Sequence, residues 1–229
     1  MLVGEPQTRL LHTYWYERVM LNFAVDTPSL QRLLAPQWRV AERLGGSNLT
    51  IGLCEVIFDA EPDGAPRTVP AYLYVPVNGN VEHASNGTEA NMRYLTLTDV
   101  KDAFPQCAVA VVTAEHSKET KRHGATVVTT EHYGFLSDAY EVGLDIRYTA
   151  GAAQRIAGGM DVRCPDDDSF EQRYENEEVQ YPLRRGQMDL IIGISYRIRG
   201  GMLSALFDGT EKLASVTSVP ASVRKVYAV

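Results

Sequence analysis

Ten segments with the composition of β-strands make up much of this sequence. Each is rich in β-branched and aromatic residues and is bounded by residues that favour turns. This many strands in one domain indicates a sandwich or a barrel. The segments span residues 14–25, 48–58, 69–77, 92–97, 107–115, 125–132, 139–149, 189–199, 202–208 and 222–228.

The length of the chain suits one large β domain. It has 229 residues, of which 45% are hydrophobic and 22% are charged, and β-barrels of this size commonly fold as one unit. The sequence contains no internal repeat and no linker. We therefore predict a mainly β (β-rich α+β) single domain over residues 1–229, with a few short helices.

Charge and hydropathy exclude several classes of partner. The net charge of −7 argues against nucleic-acid binding, because neutralising phosphates requires clustered Lys and Arg. No apolar run reaches the roughly 18 residues of a membrane span, and the N-terminus lacks the order of a signal peptide. We therefore expect a cytoplasmic protein with no membrane partner. Cys54, Cys107 and Cys164 lack metal-ligand spacing, so we predict reduced thiols.

Three local patterns predict other elements. A helix should begin near Thr27 as its N-cap, with Pro28 at the first helical position. The pair Gly200-Gly201 indicates a hairpin turn between 189–199 and 202–208, because glycines accept the positive φ of tight turns. Residues 165–181 carry seven acidic side chains, which favours a solvated loop or a frayed helix over a cation site.

A segment in the middle of the sequence resembles a known catalytic motif. Residues 103 to 108 read Ala-Phe-Pro-Gln-Cys-Ala, which is similar to the Gly-Phe-Pro-Lys-Lys-x-Ala segment of the acetoacetate decarboxylase family. In that family the first lysine forms a Schiff base with the keto acid. Gln106 occupies its place here. A primary amide cannot form an imine, because its nitrogen lone pair is delocalised into the carbonyl.

Other segments resemble the same family in the same order. Residues 14 to 36 resemble its opening, a Tyr-rich strand with an arginine followed by Asp-x-x-x-Leu-x-x-x-Leu-Pro. Residues 49 to 56 resemble the strand whose acidic residue faces the lysine, and residues 203 to 221 resemble the closing strands. The resemblance covers most of the chain, and 116 to 188 carries no family pattern.

The resemblance implies a curved sheet that closes into a barrel around a central cavity, and it implies a homo-oligomer. It places three side chains in one cavity, where Arg18 orients a carboxylate, Glu55 handles a proton and Gln106 polarises a carbonyl. A structural ion pair inside the barrel is the alternative role for Arg18 and Glu55. The substrate-binding residues assigned with them are Phe104, Pro105 and Arg93.

The predicted function is the binding or transformation of a small keto acid or related carbonyl compound without Schiff-base chemistry. Such a protein is an enzyme of the decarboxylase (lyase) type that lacks the amine, and it needs no cofactor and no metal. Two alternatives stay open: a non-catalytic barrel that binds small molecules, apolar ones included, and a lipocalin-like carrier. A polar, closed pocket favours the enzyme, whereas a wide apolar cavity favours a carrier.

Two further hypotheses concern the polar region after Gln106. A hairpin of 107–115 with 125–132 would set His116 opposite His123, where two imidazoles could bind a metal with Glu115 or His132. Alternation puts Glu115 on the other face of its strand, and two histidines on a hairpin are more often surface residues, so we predict no metal site. Lys101 has acidic neighbours that keep it protonated, which argues against a substitute amine.

Overall fold

The structure is a computed structural model that describes residues 9–43, 45–67, 71–100, 107–165 and 167–228, without the side chains of 167–171. Strands dominate the described part of the chain. They are β1 (Arg9–Ala24), β2 (Trp38–Val40), β3 (Leu49–Ala60), β4 (Tyr72–His83), β5 (Glu89–Thr98), β6 (Ala108–Ala110), β7 (Thr113–His123), β8 (Thr126–Leu136), β9 (Glu141–Thr149), β10 (Gln154–Cys164), β11 (Asp167–Arg185), β12 (Met188–Asp189), β13 (Ile191–Arg199) and β14 (Lys212–Ala228). Within these ranges, helical structure is limited to α1 (Thr27–Gln31) and a 3-10 turn (Gly201–Ala205).

The larger of two sheets closes on itself. Its strand order is β2-β4-β3-β1-β14-β11-β10-β5-β6, and β4 also pairs with β5. The strands from β4 through β1, β14 and β11 to β5 therefore form a closed ring, which abolishes the sheet edges between them. The predicted mainly β fold with a closing sheet is confirmed.

The smaller sheet packs against the outside of this ring. Its order is β13-β9-β8-β7, and its inward side chains, such as Tyr133 and Phe135, join the larger hydrophobic core with Val19, Leu21 and Leu53 of the ring. A second core lies inside the ring. Its members are Tyr14, Tyr16, Cys54, Val56, Tyr72, Tyr74, Val162, Tyr174 and Val226.

Strand β1 supplies residues to both cores because successive side chains of a strand point to opposite faces. Tyr14 and Tyr16 are buried inside the ring, and Arg18 donates a hydrogen bond to Glu178 there. Val19 and Leu21 face the smaller sheet. The wall that separates the two cores is therefore one strand thick, and one residue of register decides which side a group faces.

The acidic segment is a strand, so the prediction of a loop or frayed helix there is wrong. Strand β11 runs along β14 and β10 in the ring. Its exposed Glu175 and Glu177 alternate with the buried Asn176 and Glu178. The side chains on one face of this strand are thus solvated, as its charge suggests, and those on the other face line the interior.

The predicted hairpin at Gly200-Gly201 is also wrong. Gly200 has a φ of 98° and Gly201 a φ of 44°, and the chain enters the 3-10 turn instead of a strand. A Cβ on Gly200 would collide with the carbonyl of Ala139, so this close approach is what requires glycine. The helix near Thr27 is present, but its N-cap is Asp26, whose carboxylate accepts a hydrogen bond from the Ser29 amide at 2.8 Å.

Two smaller expectations can be compared with the structure. Cys54, Cys107 and Cys164 form no disulfide, and Cys54 and Cys164 are buried. Within the described ranges, no helix has the length and apolar character to cross a bilayer.

Candidate functional site

A cluster of buried polar side chains lies inside the ring, and Arg224 is at its centre. Its guanidinium donates to the hydroxyl of Tyr14 at 3.0 Å, to the hydroxyl of Tyr16 at 2.8 Å and to the Asn176 side-chain oxygen at 2.6 Å. The guanidinium also lies 4.8 Å from the ring centroid of Tyr16, within cation–π range. We call Arg18, Arg224, Glu178, Tyr14 and Tyr16 the guanidinium cluster.

Glu178 is the carboxylate of this cluster. Its Oε1 accepts hydrogen bonds from Arg18 at 2.5 Å and from Tyr16 at 2.9 Å, and its Oε2 accepts one from Gln180 at 2.7 Å. The side chain is 4% exposed. Burial by itself opposes ionisation, but Arg18, Gln180 and Arg224 outweigh it and lower the pKa of Glu178 to about 2. Glu178 is therefore ionised across the physiological range.

Arg18, which donates to this carboxylate, is also largely buried. Its side chain is 10% exposed, and its guanidinium lies 5.2 Å from the ring centroid of Tyr16. Burial would lower the pKa of Arg18, but Tyr16 and Glu178 hold it above its ordinary value, so the charge is retained. The Nε–H is buried, and no group among the described residues accepts a hydrogen bond from it.

Arg93, the other predicted arginine, projects into the same interior from β5. It donates to the hydroxyl of Tyr174 at 3.0 Å and to the side-chain oxygen of Asn78 at 3.4 Å. The guanidinium of Arg224 lies 4.8 Å from the same Tyr174 ring. Arg18, Arg93 and Arg224 therefore all lie in the interior of the ring.

Glu55 does not lie in that interior. In the pairing of β1 with β3, Glu17 lies opposite Glu55 and Arg18 lies opposite Cys54. Cys54 faces inward, so Glu55 points outward and contacts His116 of the smaller sheet at 2.6 Å. The expected convergence of Glu55 with Arg18 does not occur, because the two residues occupy opposite faces of the ring wall.

His116 belongs to an ion-pair network between the two sheets. Its other ring nitrogen lies 3.3 Å from Glu131 of β8, and Lys118 lies 2.6 Å from Glu17 of β1. Burial would lower the pKa of His116, but hydrogen bonds to Glu131 and Glu55 outweigh it and raise the pKa. The ligand atoms of Glu17, Glu55 and His116 lie within 4.8 Å of one another, and Lys118 supplies positive charge beside them.

The hairpin that carries His116 differs from the predicted one. The turn lies at Gly124, and His116 pairs with Tyr133 while His123 pairs with Thr126. His116 and His123 are therefore not opposite each other, and the hypothesis of a two-histidine metal site at the hairpin base is wrong.

Replacing His116 with glutamine is expected to lower the free energy of unfolding by about 2 kcal/mol at pH 5.5 and by less at pH 9. The folded-state pKa is raised, so the stabilisation is fully present below the unfolded pKa and is lost as pH rises through the folded pKa. Urea denaturation at both pH values measures it. His132→Gln is the matched control, since His132 also lies between two carboxylates but is 39% exposed. An equal loss of stability at both pH values would contradict the assigned ion pairs of His116 with Glu55 and Glu131.

The predicted motif lies outside the described residues. Gln106, Phe104 and Pro105 are within 101–106, as is Lys101, so their assigned roles stay predictions. Cys107 follows directly and has a φ of 58°, a left-handed conformation that is uncommon for residues other than glycine. Its carbonyl accepts a hydrogen bond from the Thr96 amide of β5 at 2.8 Å.

Sequence reasoning missed Glu178 and Arg224. Glu178 lies in a run of acidic residues, where net charge hides which side chain is buried. The alternation of Tyr174, Asn176 and Glu178 with exposed glutamates is a period-2 pattern that would have indicated a strand. Arg224 lies between Val223 and Lys225 in the last predicted strand, and no local signal marks its partners, which are up to 210 residues away.

A groove of about 390 Å³ leads from the surface to the cluster. Tyr16, Glu178 and Ser222 line it together with apolar residues such as Trp15 and Ile57. The groove lies where strand pairing is irregular, since the register of β1 against β3 and of β11 against β14 shifts beside these residues. Bulges of this kind open a sheet locally and often occur next to functional sites.

Comparison with known proteins gives a result for structure only. No family model and no curated protein matches the chain. The enduracididine biosynthesis enzyme MppR with bound HEPES superposes with a TM-score of 0.60 at 12% identity, covering 96% of this chain and 86% of that one. The same enzyme complexed with pyruvate gives 0.59 at 10%, covering 99% and 91%.

Two further solved structures carry the name of the family that the motifs resemble. An acetoacetate decarboxylase-like enzyme from Sphingomonas wittichii RW1 superposes with a TM-score of 0.55 at 14% identity, covering 95% of this chain and 90% of that one. Acetoacetate decarboxylase from Legionella pneumophila gives 0.53 at 10%, covering 99% and 93%. The chain therefore has the acetoacetate decarboxylase-like fold, as its motifs predicted.

Proposed function

We propose that this acetoacetate decarboxylase-like chain binds a small keto acid or related carbonyl compound inside its ring of strands and acts on it without Schiff-base chemistry. The observation that carries the proposal is the guanidinium cluster. Arg18 and Arg224 bring two buried positive charges to the single carboxylate of Glu178. A cluster with this excess favours an anionic ligand, and a guanidinium is suited to a carboxylate.

Arg18 is the proposed carboxylate-binding residue. Its Nε–H is a buried donor that no described residue satisfies, and an unsatisfied buried donor costs about 1–3 kcal/mol. A ligand carboxylate would remove that cost. A protein with a similar structure also supports the proposal, since MppR forms a complex with pyruvate, the simplest 2-keto acid. The roles of Gln106, Phe104 and Pro105, the homo-oligomeric state and the cytoplasmic location stay predictions.

Calorimetric titration with pyruvate and acetoacetate tests the proposal. We expect both acids to bind and acetone, which lacks the carboxylate, not to bind. Arg18→Met should weaken binding of the acids about 10- to 100-fold, the value of one charged hydrogen-bonding partner. Arg18→Lys, which keeps the charge but not the planar fork, should show an intermediate loss.

Controls separate binding from folding. Arg199→Met removes a guanidinium that is 66% exposed on β13 of the smaller sheet and should leave affinity unchanged. Removing Arg18 leaves Glu178 without that partner, so circular dichroism is used to check that each variant is still folded. The proposal fails if the parent binds neither acid at millimolar concentration, or if folded Arg18→Lys and Arg18→Met bind them as tightly as the parent.

A further inference from the structure

Arg224 sets the direction of the hydrogen bonds in the guanidinium cluster. A guanidinium has donors only, so the hydroxyl oxygens of Tyr14 and Tyr16 must accept from it, at 3.0 and 2.8 Å. Each phenol then has to direct its own proton toward a different acceptor. The position of that acceptor distinguishes the two tyrosines.

Tyr16 donates its proton to the carboxylate of Glu178 at 2.9 Å. Tyr174 of β11 has the same arrangement. Its hydroxyl oxygen accepts a hydrogen bond from Arg93 at 3.0 Å, and its proton is donated to the Gln172 side-chain oxygen at 3.0 Å. In both cases the chain itself supplies the acceptor. These hydroxyls are therefore committed to protein groups.

Tyr14 differs from both. Its hydroxyl accepts from Arg224, and the described residues include no acceptor for its proton within hydrogen-bond distance. The residue is 1% exposed, so bulk water does not replace one. Burial raises the pKa of Tyr14, whereas the charge of Arg224 opposes that rise. Arg224 donates to the phenol oxygen, which leaves the phenol proton for another group.

We infer that the Tyr14 hydroxyl donates a hydrogen bond to the keto oxygen of the bound ligand while Arg18 holds its carboxylate. This inference rests on the proposed function. Tyr14 and Arg18 lie on the inward face of the same strand with Tyr16 between them, and each presents a donor without an acceptor in the described part of the chain. A keto acid carries the two matching acceptors.

This hydrogen bond would assist a reaction that proceeds through an enolate. When a 3-keto acid loses CO₂, the electrons of the broken carbon–carbon bond form a carbon–carbon double bond. The carbonyl pair moves to the keto oxygen, which becomes negative and is stabilised by the Tyr14 hydroxyl with Arg224 behind it. The enolate carbon then takes a proton from water, and hydroxide returns to solvent. Tyr14 would thus perform part of the task of the absent amine.

Infrared spectroscopy of bound pyruvate labelled with ¹³C at the keto carbon tests the hydrogen bond directly. A donor on the keto oxygen lowers the carbonyl stretching frequency. We expect the band of the parent complex to lie below that of free pyruvate and to move back toward it in Tyr14→Phe, with an affinity loss of about 3- to 10-fold. Tyr227→Phe, which removes a hydroxyl bonded to exposed Glu175, should leave the band unchanged.

The outcomes separate this inference from the proposed function. If the parent binds no keto acid, the proposed function fails and the role of Tyr14 fails with it. If the parent binds pyruvate and the carbonyl band is the same in Tyr14→Phe, only the role of Tyr14 is overturned. If Tyr14→Phe is not folded, 3-fluorotyrosine at position 14 provides the second measurement, because its more acidic hydroxyl donates a stronger hydrogen bond and should lower the band further. An unchanged band in that folded complex would count against the inference.

Discussion

Replacing Glu178 with alanine is expected to lower the free energy of unfolding by about 3–5 kcal/mol, because it leaves Arg18 and Arg224 as buried charges without a carboxylate. Urea denaturation followed by circular dichroism measures the loss. The adjacent Glu177 supplies the matched control, since its side chain is 69% exposed on the same strand. Glu177→Ala should change stability by less than about 0.5 kcal/mol.

The pH dependence gives this prediction a second measurement. The pKa of Glu178 is lowered to about 2 from an ordinary value of 4.5, so its stabilisation is present above about pH 4.5 and is lost as pH falls toward 2. The shift corresponds to about 3 kcal/mol. Glu178→Gln, which keeps the shape but not the charge, should remove that part of the acid dependence. A parent and a variant with the same acid dependence would contradict the assigned ion pair.

Replacing Gln106 with lysine is expected to change the chemistry of the protein from no imine formation to imine formation. The resemblance assigns residue 106 the position of the Schiff-base lysine, and the variant restores the missing amine. An unperturbed lysine has a pKa of about 10.4, and the desolvation that the resemblance implies for this position would lower it toward the neutral form that attacks a ketone. Borohydride reduction with acetoacetate should then trap an adduct at residue 106, identified by mass spectrometry.

The parent and a second variant are the controls for this substitution. The parent should yield no adduct, and neither should Gln106→Met, which has a similar length but no amine. We also expect CO₂ release from acetoacetate to rise at least about 10-fold over the parent, a barrier change of about 1.4 kcal/mol. A folded Gln106→Lys protein that forms no adduct with any keto acid would refute the assigned position of residue 106. An adduct at Lys101 in the parent would show that the amine has moved along the chain.

Much of the fold was predictable, and the errors have a common origin. The strand-like composition predicted a mainly β chain, and the family resemblance implied that its sheet closes, which it does. The acidic stretch was misread because Glu175 and Glu177 contribute charge to solvent while Glu178 on the same strand lies inside. Charge summed over a segment loses the period-2 pattern that separates these faces.

The candidate site was predicted only in part. Arg18 and Arg93 were identified in advance and do lie in the interior, whereas Glu55 lies on the outer face of the wall and contacts His116. The acidic residue that pairs with Arg18 is Glu178, 160 residues further along the chain. A resemblance between short motifs predicts which residue types a strand contains. It does not predict which residue of another strand becomes their partner.

Outside 154–185 and 202–208, the sequence by itself determined most of the strands and the residue types they bring, because alternation, turn residues and β-branched composition are local properties. It also determined that residue 106 has no amine. The tertiary structure alone decided that Tyr14, Arg18, Glu178 and Arg224 meet inside a ring. Their pairing depends on the register of β1, β11 and β14, and a shift of one residue in any of these ladders would exchange the inner and outer faces.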